Sequence, residues 1–336
     1  MDSSLLQNLI DPVILFFFFG LFAAGIRSNL EIPPAIAKFF SLYLLIAIGL
    51  KGGAALAESG LTTTALLALF AAILMAALVP AYSFLILRRR SDPYDAAAIA
   101  ATYGSISAVT FIAAQQFLTR NEVEFGGYMT VAMVLMESPA IIMAVLLATL
   151  VRSREKLQLS PAVGAAPVVS APNLSMKNVL HEAFTDGAHL LLIGSLIIGF
   201  VTGVEGKQIM EPFAVDLFKG ILAFFLLEMG LLVARQLRES QNLNGFMIGF
   251  ALVMPTVNAG VALALAWLLG LPKGDAMLLA VLSASASYIV VPAIVRYAIP
   301  EAKPSGYFTM SLGLTFPFNI IVGIPLYYAM VSAIWG

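Results

Sequence analysis

Two short runs of small hydroxyl residues are the part of this sequence whose residue types and spacing could bind ions. The first run contains Thr102, Ser105, Ser107 and Thr110, and the second contains Ser283, Ser285 and Ser287, each inside a long apolar stretch. Close helix packing is one explanation, because small residues let membrane helices approach each other. The other explanation is that both helices break at these runs. Gly104 weakens the first, and Pro292 suits the first turn of a restarted helix in the second.

A pair of such breaks has definite electrostatics. Restarted half-helices present free N–H groups and the positive end of the helix dipole, here near residues 106–110 and 286–290, and these favour a small anion. The half-helices that end present free carbonyls near residues 101–104 and 281–285. Carbonyl and hydroxyl oxygens suit a hard cation such as Na⁺. The pattern therefore predicts symport of a small anion with Na⁺.

Two acids lie deep in apolar stretches, where a carboxylate is costly and points to function. Glu137 is the stronger candidate, because Pro139 loosens the chain beside it and the matching stretch near Asn319 is also polar. Glu228 has a structural explanation, as a cap at a helix interface, that is equally acceptable.

Composition fixes the class of protein that must position these residues. Of 336 residues, 60% are hydrophobic and 11% charged, which is typical of a polytopic membrane protein. A net charge of −1 excludes a nucleic-acid partner. The chain has no cysteine and no Gly-x-Ser-x-Gly motif, so a hydrolase is not predicted. We expect that the protein is not an enzyme and that it holds no cofactor.

Ten apolar stretches are long enough to cross a hydrocarbon core about 30 Å thick, which predicts an all-α membrane protein. The acidic start of the chain is unlike a secretory signal, so the first stretch is expected to be retained as a span. The predicted spans are 9–26, 33–51, 62–87, 94–118, 126–151, 184–204, 213–234, 243–270, 274–298 and 306–334.

Positive charge is distributed unevenly between the loops. Odd-numbered loops contain twelve Lys and Arg, and even-numbered loops four, including Lys51 and Arg120. Because positive residues stay in the cytoplasm, both termini are predicted to be extracytoplasmic and the long 153–183 linker cytosolic.

The two halves of the chain resemble each other at a shift of about 180 residues. Asp95 matches Asp275, and Ser105 and Ser107 match Ser285 and Ser287. Each half has five spans, so the second copy is inverted, as in secondary transporters. The predicted architecture is a first repeat at 1–152, the linker at 153–183 and a second, inverted repeat at 184–336, with broken spans four and nine crossing at the midplane.

At these motifs the sequence resembles the sodium-dependent bicarbonate transporter family, over nearly the whole chain. The resemblance rests on segments 48–53, 103–110, 136–140, 280–287, 298–300 and 319–326. It implies core and gate domains, Na⁺-driven bicarbonate uptake across a bacterial inner membrane, a homotrimer, and inhibition by a PII-like cytosolic protein. The chain departs from the family pattern at Tyr288, where cyanobacterial members have an acid.

The candidate site follows from the breaks and the resemblance together. The leading hypothesis is Na⁺-coupled bicarbonate uptake by alternating access, and the alternative is Na⁺-coupled transport of another small anion or carboxylate. The predicted substrate-binding residues are Gly104, Ser105, Ile106, Ser107, Thr110, Ser285, Ala286, Ser287 and Tyr288. The predicted Na⁺ ligands are Thr102, Ser105, Glu137, Ser283, Ser285 and Asn319.

Overall fold

The computed structural model describes residues 12–158, 187–239 and 243–336. Every regular element in these ranges is helical. Most of the predicted 153–183 linker lies outside the described residues, and its first residues continue the preceding helix.

Twelve helices make up the described chain, and several have recognisable start signals. Thr62 caps the third helix, because its hydroxyl accepts a hydrogen bond from the N–H of Ala65 at 3.2 Å. Asn244 caps the ninth helix through its side-chain amide oxygen. The helices are α1 (Pro12–Gly25), α2 (Pro34–Ser59), α3 (Thr63–Leu87), α4 (Pro93–Gly104), α5 (Ala108–Arg120), α6 (Tyr128–Gln158), α7 (Gly187–Ile209), α8 (Phe218–Glu239), α9 (Gly245–Leu268), α10 (Lys273–Ala284), α11 (Val290–Ala298) and α12 (Pro304–Trp335).

Eight segments of the described chain are long and apolar enough to cross a membrane. They are α2, α3, α4 with α5, α6, α7, α8 with the π-helical turn before it, α9, and α12, which alternates between α and π geometry. The helix α1 is shorter, and α10 and α11 are separated by a break. The predicted all-helical membrane architecture is confirmed in this form.

One predicted loop is wrong. The sequence placed Lys51 after the second span, but α2 continues to Ser59, so Lys51 lies inside a helix. Helices in membranes extend past the hydrocarbon core, and the apolar stretch alone cannot show where the helix ends.

Two groups of helices can be distinguished by their closest packing. In the first group, α2 packs along α7 and α1 packs along α8. Gly20 and Gly230 let the backbones of α1 and α8 touch, since a Cβ added to Gly20 would lie 2.2 Å from the carbonyl oxygen of Leu227. The remaining helices form the second group, in which α3 packs on α4 and α6, and α9 packs on α10.

Candidate functional site

The first break separates α4 from α5 at Ser105–Ser107. Gly104 ends α4 against the ring of Pro80, where an added Cβ would lie 2.6 Å from the ring, and Ser105 is extended. Ser107 caps α5: its hydroxyl oxygen accepts hydrogen bonds from the N–H and the hydroxyl of Thr110, at 3.2 and 2.9 Å. The predicted interruption of span four is therefore present.

The second break separates α10 from α11 at residues 285–289. Here α10 ends at Ala284 and α11 begins at Val290, with Pro292 in its first turn. The hydroxyl oxygen of Ser287 accepts a hydrogen bond from the N–H of Val291 at 3.3 Å. Ser287 lies two residues before the N-cap Ile289, so its hydroxyl satisfies an N–H in the first turn of α11 without being the N-cap.

The two breaks touch each other inside the protein. The N–H of Ser107 donates to the hydroxyl of Ser285 at 3.0 Å, and the N–H of Ser287 donates to the carbonyl of Thr102 at 2.8 Å. The Ser107 hydroxyl also bonds the phenol of Tyr288 at 3.3 Å. These contacts fix the start of each half-helix beside the end of the other.

A cavity of about 60 Å³ lies against both restarted helices. By the same measure one water needs ~10–15 Å³, so the cavity has room for a solute of a few heavy atoms. Its walls come from both helix groups: α5, α6 and α11 on one side, and α2, α7 and α8 on the other. The lining is Ser41, Leu44, Leu45, Ile106, Ser107, Ala108, Val109, Ile112, Glu137, Leu192, Phe225, Ser287, Tyr288, Ile289 and Val290.

Four of the nine predicted substrate residues line this cavity: Ile106, Ser107, Ser287 and Tyr288. The ring of Tyr288 packs edge-on against Phe316, with centroids 5.4 Å apart. The other five predicted substrate residues lie behind the lining, within the breaks or helices. They are Gly104, Ser105, Thr110, Ser285 and Ala286.

The predicted Na⁺ ligands differ in whether they line the cavity and in whether their oxygens already have hydrogen-bond partners. Glu137 lines the cavity. The hydroxyls of Ser105 and Ser283 are buried and have no hydrogen-bond partner in the described chain. The hydroxyls of Thr102 and Ser285 donate to the carbonyls of Ile99 and Leu282 in their own helices, at 2.6 and 2.8 Å.

Asn319 braces the second break. Its amide nitrogen donates to the carbonyl of Ala284 at 2.9 Å, and its amide oxygen accepts the phenol hydrogen of Tyr327 at 2.8 Å. The side chain therefore holds the end of α10, and it does not line the cavity. Glu228 also lies away from the cavity, where it accepts a hydrogen bond from the backbone of Ile32. That contact supports its structural explanation.

Sequence reasoning missed two sets of residues that matter to the site. The apolar wall residues Leu44, Leu192 and Phe225 look the same in sequence as residues that face lipid. Asp95 and Asp275 were matched as equivalents, but their partners were not foreseen. Asp275 accepts hydrogen bonds from the N–H of Gly126 and the phenol of Tyr128, and Asp95 accepts one from the N–H of Lys303 at 2.7 Å.

Comparison with known families agrees with this geometry. A model of the Na⁺-dependent bicarbonate transporter superfamily matches residues 12–332, nearly the whole chain. The chain belongs to this superfamily. It is thus a transporter and not an enzyme, and with its apolar helices a multi-pass membrane protein. A search of curated proteins found no match.

Proposed function

We propose that the protein takes up bicarbonate together with Na⁺ by alternating access. The observation that carries this proposal is the pair of helix N-termini, at Ala108 and Val290, that border one small cavity. Family membership supports the choice of solute and ion, and the geometry supports a site for both at this cavity.

The anion is held by backbone rather than by basic side chains. No Lys or Arg of the described residues lines the cavity, so we attribute the positive field there to the starts of α5 and α11. Each helix N-terminus stabilises a negative charge by about 0.3–1 kcal/mol, and by up to about 2 kcal/mol where it is partly buried. Ser107, Ser287 and Tyr288 add hydroxyl groups that can turn toward the anion.

We place a cation beside this anion because Glu137 lines the same cavity. Two negative charges in a site of low polarity repel strongly unless a positive charge lies between them. The unpartnered hydroxyls of Ser105 and Ser283 lie in or next to the breaks and supply oxygen ligands. Na⁺ bound there, with Thr102 and Ser285 nearby, neutralises the pair and couples the two solutes.

The ten-span inverted repeat is part of the proposal, and reciprocal contacts support it. Asp275, in the second half, binds the loop before α6, and Asp95, in the first half, binds the loop before α12. The helix pairs also join the two halves of the chain: α2 in the first half packs on α7 in the second, and α1 in the first half packs on α8 in the second. We assign α1, α2, α7 and α8 to a gate domain and the other helices to a core domain, with repeats at 1–152 and 184–336.

The position of the cavity supports alternating access. The cavity is bounded by the core domain through α5, α6 and α11 and by the gate domain through α2, α7 and α8. A movement of one domain against the other would open the cavity to one side and close it to the other.

The resemblance extends the proposal to assembly and location. We place the protein in a bacterial inner membrane as a homotrimer with extracytoplasmic termini and a PII-like regulator on the cytosolic side. Several large apolar side chains of α7 are exposed, including Leu190, Ile198 and Val201, and such a face needs lipid or another subunit to cover it.

A small monocarboxylate is the second candidate solute. The cavity is lined mainly by apolar side chains, among them Leu44, Leu45 and Ile112, and a methyl group would be accommodated there better than the hydroxyl of bicarbonate.

The deciding experiment is uptake of labelled bicarbonate into proteoliposomes with and without an inward Na⁺ gradient. We expect uptake only with the gradient, and weak competition by formate or acetate. Uptake that ignores Na⁺ would contradict the coupling. Strong uptake of labelled acetate with none of bicarbonate would favour the second solute.

Glu137→Gln tests the role of the acid within the same assay. The variant keeps the size of the side chain and removes its charge, so we expect weaker Na⁺ dependence and a higher half-saturating Na⁺ concentration. Glu301→Gln is the control, because Glu301 pairs with Arg152 at 2.8 Å outside the cavity. Full Na⁺-dependent transport by Glu137→Gln would assign Glu137 to architecture alone.

A further inference from the structure

A second, larger cavity opens at the other end of α5. It has a volume of about 610 Å³ and is enclosed by α1, α5, α8 and one residue of α12. We call it the outer vestibule. Its polar lining consists of Gln116, Thr119, Arg120 and Lys219, and none of the described residues that line it is acidic.

The outer vestibule and the small cavity share two helices. On α5, Ile112 faces the small cavity, and Ala113 and Gln116 face the vestibule. On α8, Phe225 faces the small cavity, and Leu222 and Leu226 face the vestibule. The two linings are adjacent along both helices, because Ala113 follows Ile112 on α5 and Leu226 follows Phe225 on α8.

Buried apolar side chains of α5 and α8 form a layer at the walls that the two cavities share. Ile112, Phe117, Leu222, Phe225 and Leu226 are each at most 4% exposed. A layer of this kind has no hydrogen-bonding group to offer an ion, so it closes the route between vestibule and small cavity in this conformation. Opening it requires that α5 in the core domain and α8 in the gate domain move apart.

Positive charge gathers at this vestibule although it is scarce on that side of the protein. Arg120 and Lys219 line it, and Lys51 lies close by, with its ammonium 4.3 Å from the ring centroid of Phe218. Neither Lys51 nor Lys219 forms an ion pair within the described ranges 12–158, 187–239 and 243–336. A concave site with charge of one sign raises the local concentration of the opposite ion.

We propose that the outer vestibule is an anion-recruiting site, in which Lys219 and Arg120 collect bicarbonate before the apolar layer opens. This inference deepens the proposed function and rests on it for the identity of the anion. The small cavity holds the anion through backbone N–H groups, whereas the vestibule attracts it through side-chain charge and remains wide enough for a hydrated ion. Recruitment therefore affects the apparent affinity of uptake and not its maximal rate.

Uptake kinetics test the recruiting role. At fixed Na⁺ and low ionic strength, Lys219→Gln should raise the KM for bicarbonate by about three-fold or more and leave the maximal rate unchanged, because electrostatic steering acts on association. Lys219→Arg keeps the charge and should restore the KM. Lys273→Gln removes a cation that does not line the vestibule and should have no effect. An unchanged KM in Lys219→Gln, or an equal rise in Lys273→Gln, would overturn the proposal.

A second measurement does not depend on bicarbonate or Na⁺. The chain has no cysteine, so Gln116→Cys places a single thiol in the vestibule. A negatively charged and a positively charged thiosulfonate are applied from outside in separate measurements. The ratio of the reaction rate of the negative reagent to that of the positive reagent should be higher for this thiol than for a free thiol. Lys219→Gln in this background should lower that rate ratio several-fold, and Lys273→Gln should not.

The two measurements separate the inference from the function it rests on. If bicarbonate is not transported but the rate ratio behaves as expected, the vestibule recruits a different anion and only the proposed solute fails. If the thiol at position 116 cannot be reached from outside, or its rate ratio equals that of a free thiol, the recruiting site itself is wrong.

Discussion

Hydroxyl groups at the two breaks have a structural and a binding role at once. Ser107 and Ser287 each satisfy an N–H at the start of a half-helix, and both also line the cavity. A hydroxyl that caps a helix can rotate its hydrogen toward an anion while its oxygen still accepts from the backbone. The same atom therefore stabilises the break and presents a donor to the solute.

Ser107→Ala and Ser287→Ala should each weaken both roles. We expect the loss of about 0.5–2 kcal/mol of stability from the missing cap, and a rise of several-fold in the KM for bicarbonate. Thermal unfolding in detergent and uptake in proteoliposomes measure the two effects. Ser195→Ala is the control, because that hydroxyl bonds only the Leu191 carbonyl of its own helix. Unchanged KM values in both break variants would leave helix packing as the reason for the serines.

Tyr288 stands where the family pattern has an acid, and its surroundings explain what a tyrosine does there. Its phenol reaches Ser107 across the two breaks, and its ring rests on Phe316. Compared with the acid of the family pattern, Tyr288 supplies one carboxylate fewer for a cation, and its larger ring narrows the cavity. We expect Tyr288→Asp to strengthen Na⁺ dependence, seen as a lower half-saturating Na⁺ concentration.

The control for this substitution is Tyr288→Asn, which makes the same space without the charge. A gain in both variants would point to cavity size and not to charge. If all three proteins have equal half-saturating Na⁺ and equal maximal rates, position 288 takes no part in coupling.

At the scale of the helix, the sequence predicted much of the fold because membrane helices are read from length and hydropathy. The breaks were predictable too, since Gly104, the alternating serines and Pro292 are local signals. The cavity walls were not. Leu44, Leu192 and Phe225 come from helices far apart in sequence, and no local pattern distinguishes an apolar residue that faces solute from one that faces lipid.

The hydrogen-bonding state of each candidate ligand was also beyond sequence reasoning. Asn319 and Thr102 have the right chemistry for Na⁺, yet their side chains bond the carbonyls of Ala284 and Ile99. Ser105 and Ser283 have the same chemistry and keep unpartnered hydroxyls in the described chain. Only the packing of the half-helices decides between these outcomes.

Gly104→Ala tests whether close approach positions the first break. In an ordinary helix this change is favourable by about 0.8–1.0 kcal/mol, but here the new Cβ would lie 2.6 Å from the Pro80 ring. Overpacking of this kind costs about 1–3 kcal/mol, so we expect a net loss of thermal stability in detergent together with reduced uptake.

Gly249→Ala is the matched control for that variant. Gly249 lies inside α9, and an added Cβ there would meet nothing within 4 Å. Its melting temperature should stay the same or rise slightly. A Gly104→Ala protein as stable and as active as the Gly249→Ala protein would show that the contact with Pro80 does not position the break.

At the scale of the whole molecule, we propose that the small cavity binds the anion through backbone N–H groups and that the outer vestibule attracts it through charged side chains. Among the described residues, no basic side chain lines the central site, so this site can release the anion once the cation leaves. The vestibule carries Arg120 and Lys219, on the side where the loops have few cations. The Na⁺ gradient sets the direction of transport, and the membrane face that the vestibule occupies decides whether the vestibule serves entry or release of the anion.

The last prediction fixes that face. Because odd-numbered loops hold most of the positive charge, they are expected in the cytoplasm, as is Ser170 in the linker beyond the described residues. Single cysteines at Arg89, after α3, and at Glu124, before α6, probe opposite sides, and both positions are exposed. In intact cells, an impermeant maleimide should label Glu124→Cys and should label Arg89→Cys only after permeabilisation. Gln116→Cys should follow Glu124→Cys, because the vestibule opens on the same side. The reverse pattern would invert the topology, place the vestibule in the cytoplasm and make the recruiting site a site of anion release.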